Sequence, residues 1–207
     1  MAESSTLPRN RAQTEARILA AAEQVLVTRG FGQLNVQTAA EMAGCDRKLV
    51  YRYFDGLEGL IDKLAETANQ RLSARLDRVT TPEDVGSRDF TRIAVQAWLH
   101  AVRKEPMTLA LMGWALVEDS EQLRRIEADR ARLLADWMRA RRPRLKAAPA
   151  ADTIALTAVL TAAVQGLALA ERARGGFSGL TLDAPGWTRI EGALDRLTAA
   201  WPDDLPT

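Results

Sequence analysis

The stretch from Arg17 to Leu60 reads RILAAAEQVLVTRGFGQLNVQTAAEMAGCDRKLVYRYFDGLEGL and predicts three short helices joined by two tight turns. Ile18, Ala22 and Val25 share one helix face by their spacing. This first helix is expected to end at Gly30, because a glycine followed by an apolar residue is typical of a left-handed helix C-cap.

The second helix of the stretch is predicted to begin after Asn35, whose side-chain oxygen can accept a hydrogen bond from a free backbone N–H of the first turn. Gly44 supplies the positive φ that a tight turn between two helices needs. Asp46 can cap the third helix in the same way as Asn35. The inward face of the second helix is small and allows close helix packing: Val36, Ala39, Ala40 and Ala43.

The third helix separates apolar from cationic side chains. Its apolar positions, continued into the following helix, have helical spacing: Val50, Phe54, Leu57 and Ile61. The opposite side collects long cations and an aromatic hydroxyl: Arg47, Lys48, Tyr51 and Arg52. Such side chains can reach phosphates and base edges, and arginine or lysine is the usual partner of guanine. The pattern predicts a DNA-reading face, although a plain polar surface on a helical domain is the alternative.

Residues 17 to 60 resemble the N-terminal domain of the TetR family of bacterial transcriptional regulators. The resemblance lies in the order and spacing of Gly30-Phe31, Ala43-Gly44, Tyr51, Phe54, Glu58 and Leu60. It implies a helix-turn-helix unit in a homodimer that binds double-stranded operator DNA. It also implies a C-terminal helical domain that binds a small effector and releases the operator.

The resemblance also implies roles for single residues. Asn35 stands where the family has a helix-capping residue that touches phosphate, and Tyr51 matches its recognition-helix tyrosine. Leu57 departs from the pattern, because the family usually has a phosphate-binding lysine there. The predicted DNA-binding residues are Asn35, Gln37, Arg47, Lys48, Tyr51, Arg52 and Tyr53.

The whole chain is predicted to be all-α, since helical segments separated by Pro and Gly follow the first three helices. We expect a flexible N-terminal arm at 1–14, the helix-turn-helix domain at 15–56, and a larger helical effector-binding and dimerisation domain at 57–203. The fourth helix is expected from about Leu57 to Val79.

Composition narrows the possible functions. A net charge of +1 argues against a protein that coats nucleic acid non-specifically and is compatible with local positive charge. One histidine and one cysteine provide no His–Cys triad and no metal cluster. We therefore predict no catalytic residues, no metal and no cofactor, and hence not an enzyme. The N-terminus has no apolar signal core, so a cytoplasmic protein is expected.

The last two helices are predicted to form a dimer interface. Thr153 to Ala170 carries no charge, but its small residues with Gln165 and Gly166 suit close helix packing better than a membrane span. The final helix has an apolar stripe of Ile190, Leu194, Leu197 and Trp201. The TetR-like interpretation pairs such helices between subunits, so we expect a homodimer through about 152–174 and 187–201.

The larger domain is rich in large apolar side chains that can line an adaptable pocket. The candidates for an effector pocket are Trp98, Met107, Met112, Trp114, Trp137 and Met138. Ordinary core packing is the alternative for each of them. The sequence thus predicts a repressor on a palindromic operator that is released by a hydrophobic or aromatic effector. The competing hypothesis is a helical small-molecule-binding protein or enzyme with a degenerate DNA-binding head.

Overall fold

The computed structural model describes residues 6–82, 85–141 and 153–200. Within these ranges the predicted all-α class is confirmed. The α-helices are α1 (Thr6–Arg29), α2 (Val36–Ala43), α3 (Arg47–Phe54), α4 (Leu57–Leu76), α5 (Ser87–Arg103), α6 (Pro106–Ala115), α7 (Glu121–Arg141), α8 (Thr153–Arg174) and α9 (Ala184–Ala199). A short 3₁₀ turn, Phe31–Gln33, links α1 to α2.

The chain packs as two compact units. Of the described residues, the N-terminal unit comprises those up to Gln70 together with Pro106–Arg130, and the C-terminal unit comprises those between Arg71 and Glu105 together with those from Ala131 onward. Helices α4 and α7 therefore each contribute to both units. The domain boundary between residues 56 and 57 stays a prediction, and the packing groups α6 and the first half of α7 with the N-terminal helices.

The N-terminal arm predicted at 1–14 differs from the structure, in which α1 already begins at Thr6. The segment contains good helix formers, and Arg11 Nε lies 2.8 Å from Glu15 Oε1, an i,i+4 pair that supports a helix. Thr14 is also buried, so this part of α1 already has an inward face. The prediction of a flexible arm rested on the polar composition of residues 1–14 alone.

The core of the N-terminal unit is apolar and draws on α1 to α4 as well as α6 and α7. Its fully buried side chains include Ile18, Val25, Val50 and Leu60. The ring of Phe31 stacks on that of Trp114, with an angle of 15° between the planes. This core fixes the position of α3, because Val50 faces inward with no exposed surface.

Within the C-terminal unit, one polar cluster joins α5, α8 and α9. The guanidinium of Arg103 forms two hydrogen bonds to the Glu171 carboxylate, of 3.1 and 3.0 Å. The same guanidinium lies 3.7 Å from the centre of the Trp187 ring, whose Nε1 donates to Glu171 Oε1 at 2.7 Å. A bidentate charged pair with an aromatic neighbour holds the three helices in a defined orientation.

Two details of the C-terminal unit differ from the sequence-based expectation. Helix α4 ends at Leu76 instead of near Val79, and the buried Nε1 of Trp137 donates to the Leu76 carbonyl at 2.9 Å, which satisfies a helix-end acceptor. Between α8 and α9 the chain forms a hairpin of β1 (Gly176–Phe177) and β2 (Leu180–Thr181). Ser178 and Gly179 both have positive φ, as a two-residue hairpin turn requires.

Candidate nucleic-acid interface

Helices α2 and α3 are each defined by the predicted caps. Asn35 Oδ1 accepts from the Thr38 N–H at 2.9 Å, and Thr38 Oγ1 accepts from the Asn35 N–H at 3.1 Å, which is a reciprocal capping box. Gly44 ends α2 with φ 61° and ψ 46°. Asp46 then accepts from the Lys48 N–H at 2.8 Å and begins α3. The turn between the two helices is thus short and rigid.

The reading face, defined here as Arg47, Lys48, Tyr51 and Arg52, lies on the exposed side of α3. All four side chains are exposed, and Tyr51 retains 57% of its accessible surface. Among the described residues no carboxylate lies within ion-pair distance of the Arg47 guanidinium or of the Lys48 side-chain ammonium group. Cations without carboxylate partners on a solvated helix face can bind phosphate or base edges without first breaking a salt bridge.

Tyr53 lies at the edge of the reading face and is half-buried. Its ring is contacted by two guanidinium groups, Arg52 at 5.9 Å and Arg11 at 5.4 Å from the ring centre. The side-chain hydrogen bond to Glu15 raises the pKa of the Arg11 guanidinium. Arg11 was not among the predicted site residues, because it falls in the segment predicted to be a flexible arm. An i,i+4 Arg–Glu pair was the signal that the helix extends to it.

The two predicted DNA-binding residues on α2 have local partners. Asn35 uses its side-chain oxygen in the capping box, and the exposed side chain of Gln37 donates from Nε2 to Glu41 Oε1 at 2.6 Å. Both residues lie at the start of α2, where the free backbone N–H groups of a helix favour an anion. That Asn35 and Gln37 contact DNA remains a prediction.

The turn between α3 and α4 depends on two glycines. Gly56 has φ 99°, which favours glycine, and lies beside the Tyr51 ring. A Cβ atom built on Gly59 would lie only 1.8 Å from the Phe54 carbonyl oxygen. The start of α4 therefore contacts the end of α3 backbone to backbone, which fixes the direction in which the reading face points.

The six residues predicted for an effector pocket do not come together as one site. Met107 and Trp114 belong to the N-terminal core, where the Trp114 indole also donates to Glu118 Oε2 at 2.7 Å. Met112 is buried in α6, and Trp137 is buried against the end of α4. Large apolar side chains fill a core as readily as they line a pocket, and the spacing along the chain does not distinguish the two.

Trp98 and Met138 do line a common cavity inside the C-terminal unit. The cavity measures about 20 Å³ and is bounded by α5, α7 and α8. Its wall is uncharged and mostly apolar: Thr91, Ala94, Val95, Trp98, Leu134, Met138, Thr157, Leu160, Thr161 and Val164. A space of this size is close to that of one water molecule, so a larger ligand has to widen it.

The single cysteine and the single histidine lie outside the reading face and the cavity. Cys45 is half-buried against the N-terminal core, and His100 is exposed, with Nε2 3.8 Å from Glu191 Oε1. No cluster of three or more His, Cys, Asp or Glu side chains in the described ranges could hold a metal ion. None of the described helices combines the length and apolar character needed to cross a bilayer.

The capped α2–turn–α3 pair, with a cationic outward face on α3, is a helix-turn-helix unit. Residues 18–64 match the family model of the bacterial regulatory proteins of the TetR family. The match runs from within α1 to within α4, and it confirms the resemblance predicted for this N-terminal stretch.

Relatives agree with this assignment. An uncharacterized HTH-type transcriptional regulator of Mycobacterium tuberculosis is 31% identical over 98 residues, which is 47% of this chain and 46% of the relative. The match thus spans less than half of that relative.

Among solved structures, a Rhodococcus sp. protein described as a TetR-family transcriptional regulator superposes with a TM-score of 0.66 at 20% identity, over 90% of this chain and 99% of the other. NalD, the secondary repressor of the MexAB-OprM multidrug efflux pump in Pseudomonas aeruginosa, gives 0.59 at 20% identity, over 91% and 96%. These two likenesses establish the fold.

Proposed function

We propose that this chain is a sequence-specific DNA-binding transcriptional regulator, a repressor whose homodimer binds a palindromic operator and is released by a small apolar or aromatic molecule. The observation that carries the proposal is the reading face on α3. The charged groups of two exposed side chains there, Arg47 and Lys48, have no ion-pair partner among the described residues. The turn that precedes them is short and capped at both helices.

DNA recognition by this face divides into two parts. The cationic groups of Arg47, Lys48 and Arg52 supply phosphate attraction or bidentate contacts to guanine in the major groove. The Tyr51 hydroxyl can donate to phosphate. In a dimer two such helices have to lie about 34 Å apart to enter successive major grooves, so half-sites of a palindrome are expected at that spacing.

The test of this function is selection of bound sequences from a random duplex library by the purified protein, followed by a salt titration on the winning sequence. We expect a palindrome to be enriched, because a symmetric dimer presents two copies of one reading face. The affinity should fall steeply with salt in proportion to the number of phosphates bound. Equal binding to every sequence would contradict the proposal and favour a helical binding protein with a degenerate head.

Dimerisation through α8 and α9 is supported by the exposed surface of α8. The exposed positions between residues 155 and 166 of α8 carry no charge and are small or apolar: Ala155, Leu156, Ala158, Val159, Ala162, Ala163 and Gly166. On α9, Leu197 is likewise an exposed large apolar side chain. An uncharged, apolar helix face that is exposed in a single subunit is typical of a surface that another subunit covers.

The Val159→Glu variant tests the interface. Val159 is 65% exposed, so the glutamate should leave the fold intact, yet a dimer through α8 would place two such charges in an apolar contact. Light scattering should then move from twice the 22.7 kDa chain mass toward the mass of one chain.

The matched control is Leu116→Glu, which adds the same charge at a residue of the N-terminal unit that is 75% exposed. This variant should remain dimeric. If Val159→Glu were as dimeric as the control at micromolar concentration, the interface would lie elsewhere.

Release by an effector is assigned to the cavity in the C-terminal unit. Binding there requires that the walls formed by α5, α7 and α8 move apart, because the present volume of about 20 Å³ is far below the few hundred Å³ of ordinary ligand sites. A ligand that is bound only in the widened state shifts the protein toward that state. Coupling of roughly 3 kcal/mol would change operator affinity by more than a hundredfold.

A further inference from the structure

Trp98 differs from the other described tryptophans in its indole N–H. Trp114, Trp137 and Trp187 are buried and each donates to an acceptor, at 2.7, 2.9 and 2.7 Å. Trp98 is only 3% exposed, yet its Nε1 has no hydrogen-bond partner among the described residues. A buried donor without an acceptor is rare and unfavourable, so a binding role is a natural explanation.

Trp98 lies beside the cavity of the C-terminal unit that is bounded by α5, α7 and α8. Trp98 is one of the residues that line the cavity, together with the half-buried Met138 and the apolar side chains of α8. The ten lining residues include no Lys, Arg, His, Asp or Glu. An anionic or cationic ligand would therefore be desolvated without a counter-charge, which disfavours it strongly. A neutral ligand is compatible with the wall.

We propose that the effector is a neutral apolar or aromatic molecule that carries one hydrogen-bond acceptor, such as a ketone, ester or ether oxygen, and that Trp98 Nε1 donates to this oxygen. The proposal rests on the proposed function and gives the effector site a chemical class. The apolar body of the ligand lies against Leu160, Val164 and Met138, and the oxygen meets the indole. Met138 can change rotamer to make room, as methionine does in adaptable sites.

Two probes of nearly equal shape distinguish the contribution of the hydrogen-bond acceptor to binding from that of the apolar body. Acetophenone has a carbonyl oxygen where α-methylstyrene has a CH₂ group. Both probes are titrated into the full-length protein labelled with ¹⁵N, and the indole N–H signals are followed by NMR. We expect acetophenone to move the Trp98 indole signal and to bind about tenfold more tightly than α-methylstyrene, the size of one buried hydrogen bond.

The Trp98→Phe variant keeps an aromatic ring and removes the donor. It should bind both probes with similar affinity, so the preference for acetophenone disappears. Trp114→Phe is the matched control, because it removes an indole that already donates to Glu118 in the N-terminal core. This control should retain the preference. Where Trp98→Phe does not fold by circular dichroism, the movement of the Trp98 signal in the original protein decides the question.

The outcomes separate this inference from the proposed function. Equal affinity of the two probes, an unmoved Trp98 signal, or a preference that survives in Trp98→Phe would overturn the role of the indole. Absence of binding by both probes would also overturn it, while an enriched palindrome in the DNA selection would leave the regulator function in place. A carbonyl preference without any enriched sequence would support the ligand site and contradict the regulator.

Discussion

The Gly59→Ala variant is expected to lose the folded N-terminal unit. A Cβ atom at this position would lie 1.8 Å from the Phe54 carbonyl oxygen, and both groups belong to backbone that cannot rotate away. Relief requires that α4 separate from the end of α3, which would expose the buried Leu60 and Ile61. We expect a loss of about 3–5 kcal/mol in the free energy of unfolding, at the upper end for single substitutions.

Thermal and urea unfolding followed by circular dichroism measure this effect, at one fixed protein concentration because a dimer is stabilised by mass action. The control is Gly192→Ala in α9, where the nearest neighbour of the new Cβ would be Arg196 Nη1 at 3.7 Å, an ordinary distance to a flexible side chain. It should be neutral or stabilising by up to about 1 kcal/mol. Similar unfolding midpoints for the two variants would show that the α3–α4 packing tolerates a methyl group.

The variant with both Arg47→Ala and Lys48→Ala is expected to bind its selected operator at least about thirtyfold more weakly. Each cation should contribute about 1–3 kcal/mol if it reads a base. If the residues bind only phosphate, binding weakens uniformly across sequences and the log–log salt slope falls by about one unit for each phosphate that is no longer neutralised. Fluorescence anisotropy on the operator and on a scrambled duplex, each at several salt concentrations, distinguishes these cases.

Arg139→Ala is the control for charge. Arg139 is an exposed residue of α7 that is paired with Asp136 at 2.7 Å, so its removal changes the net charge of the chain without touching the reading face. Its operator affinity should stay within about twofold of the original protein, since surface pairs contribute little. Unchanged affinity in the Arg47 and Lys48 variant would move the DNA-binding surface away from the exposed side of α3.

The caps and the turn between α2 and α3 could be predicted because they depend on neighbours in sequence. Asn35, Gly44 and Asp46 act through backbone groups within a few residues, and their observed hydrogen bonds and dihedral angles match the expectation. The inward position of Val50 likewise follows from helical spacing. Interactions of this kind can be predicted because both partners lie close together in the sequence.

The placement of the large apolar side chains could not be predicted in the same way. Trp98 and Trp114 lie on helices that follow one another along the chain and have similar neighbours in sequence, yet Trp114 stacks on Phe31 and Trp98 borders a cavity. Which helix each one packs against depends on the association of distant segments. The hairpin at Gly176 to Thr181 was missed because two-residue strands are too short to show alternation.

The N-terminal unit is assembled from two separate segments of the chain, and this limits how the unit can be exchanged between proteins of this fold. Part of its buried core comes from beyond residue 105: Met107, Leu111, Trp114, Leu123 and Ile126. A chimera that exchanges only the first sixty residues would pair one parent's Phe31 position with the other parent's Trp114 position. Recombination that keeps the N-terminal unit intact has to transfer residues 106–130 together with the first N-terminal segment. These two distant segments are therefore expected to be inherited together.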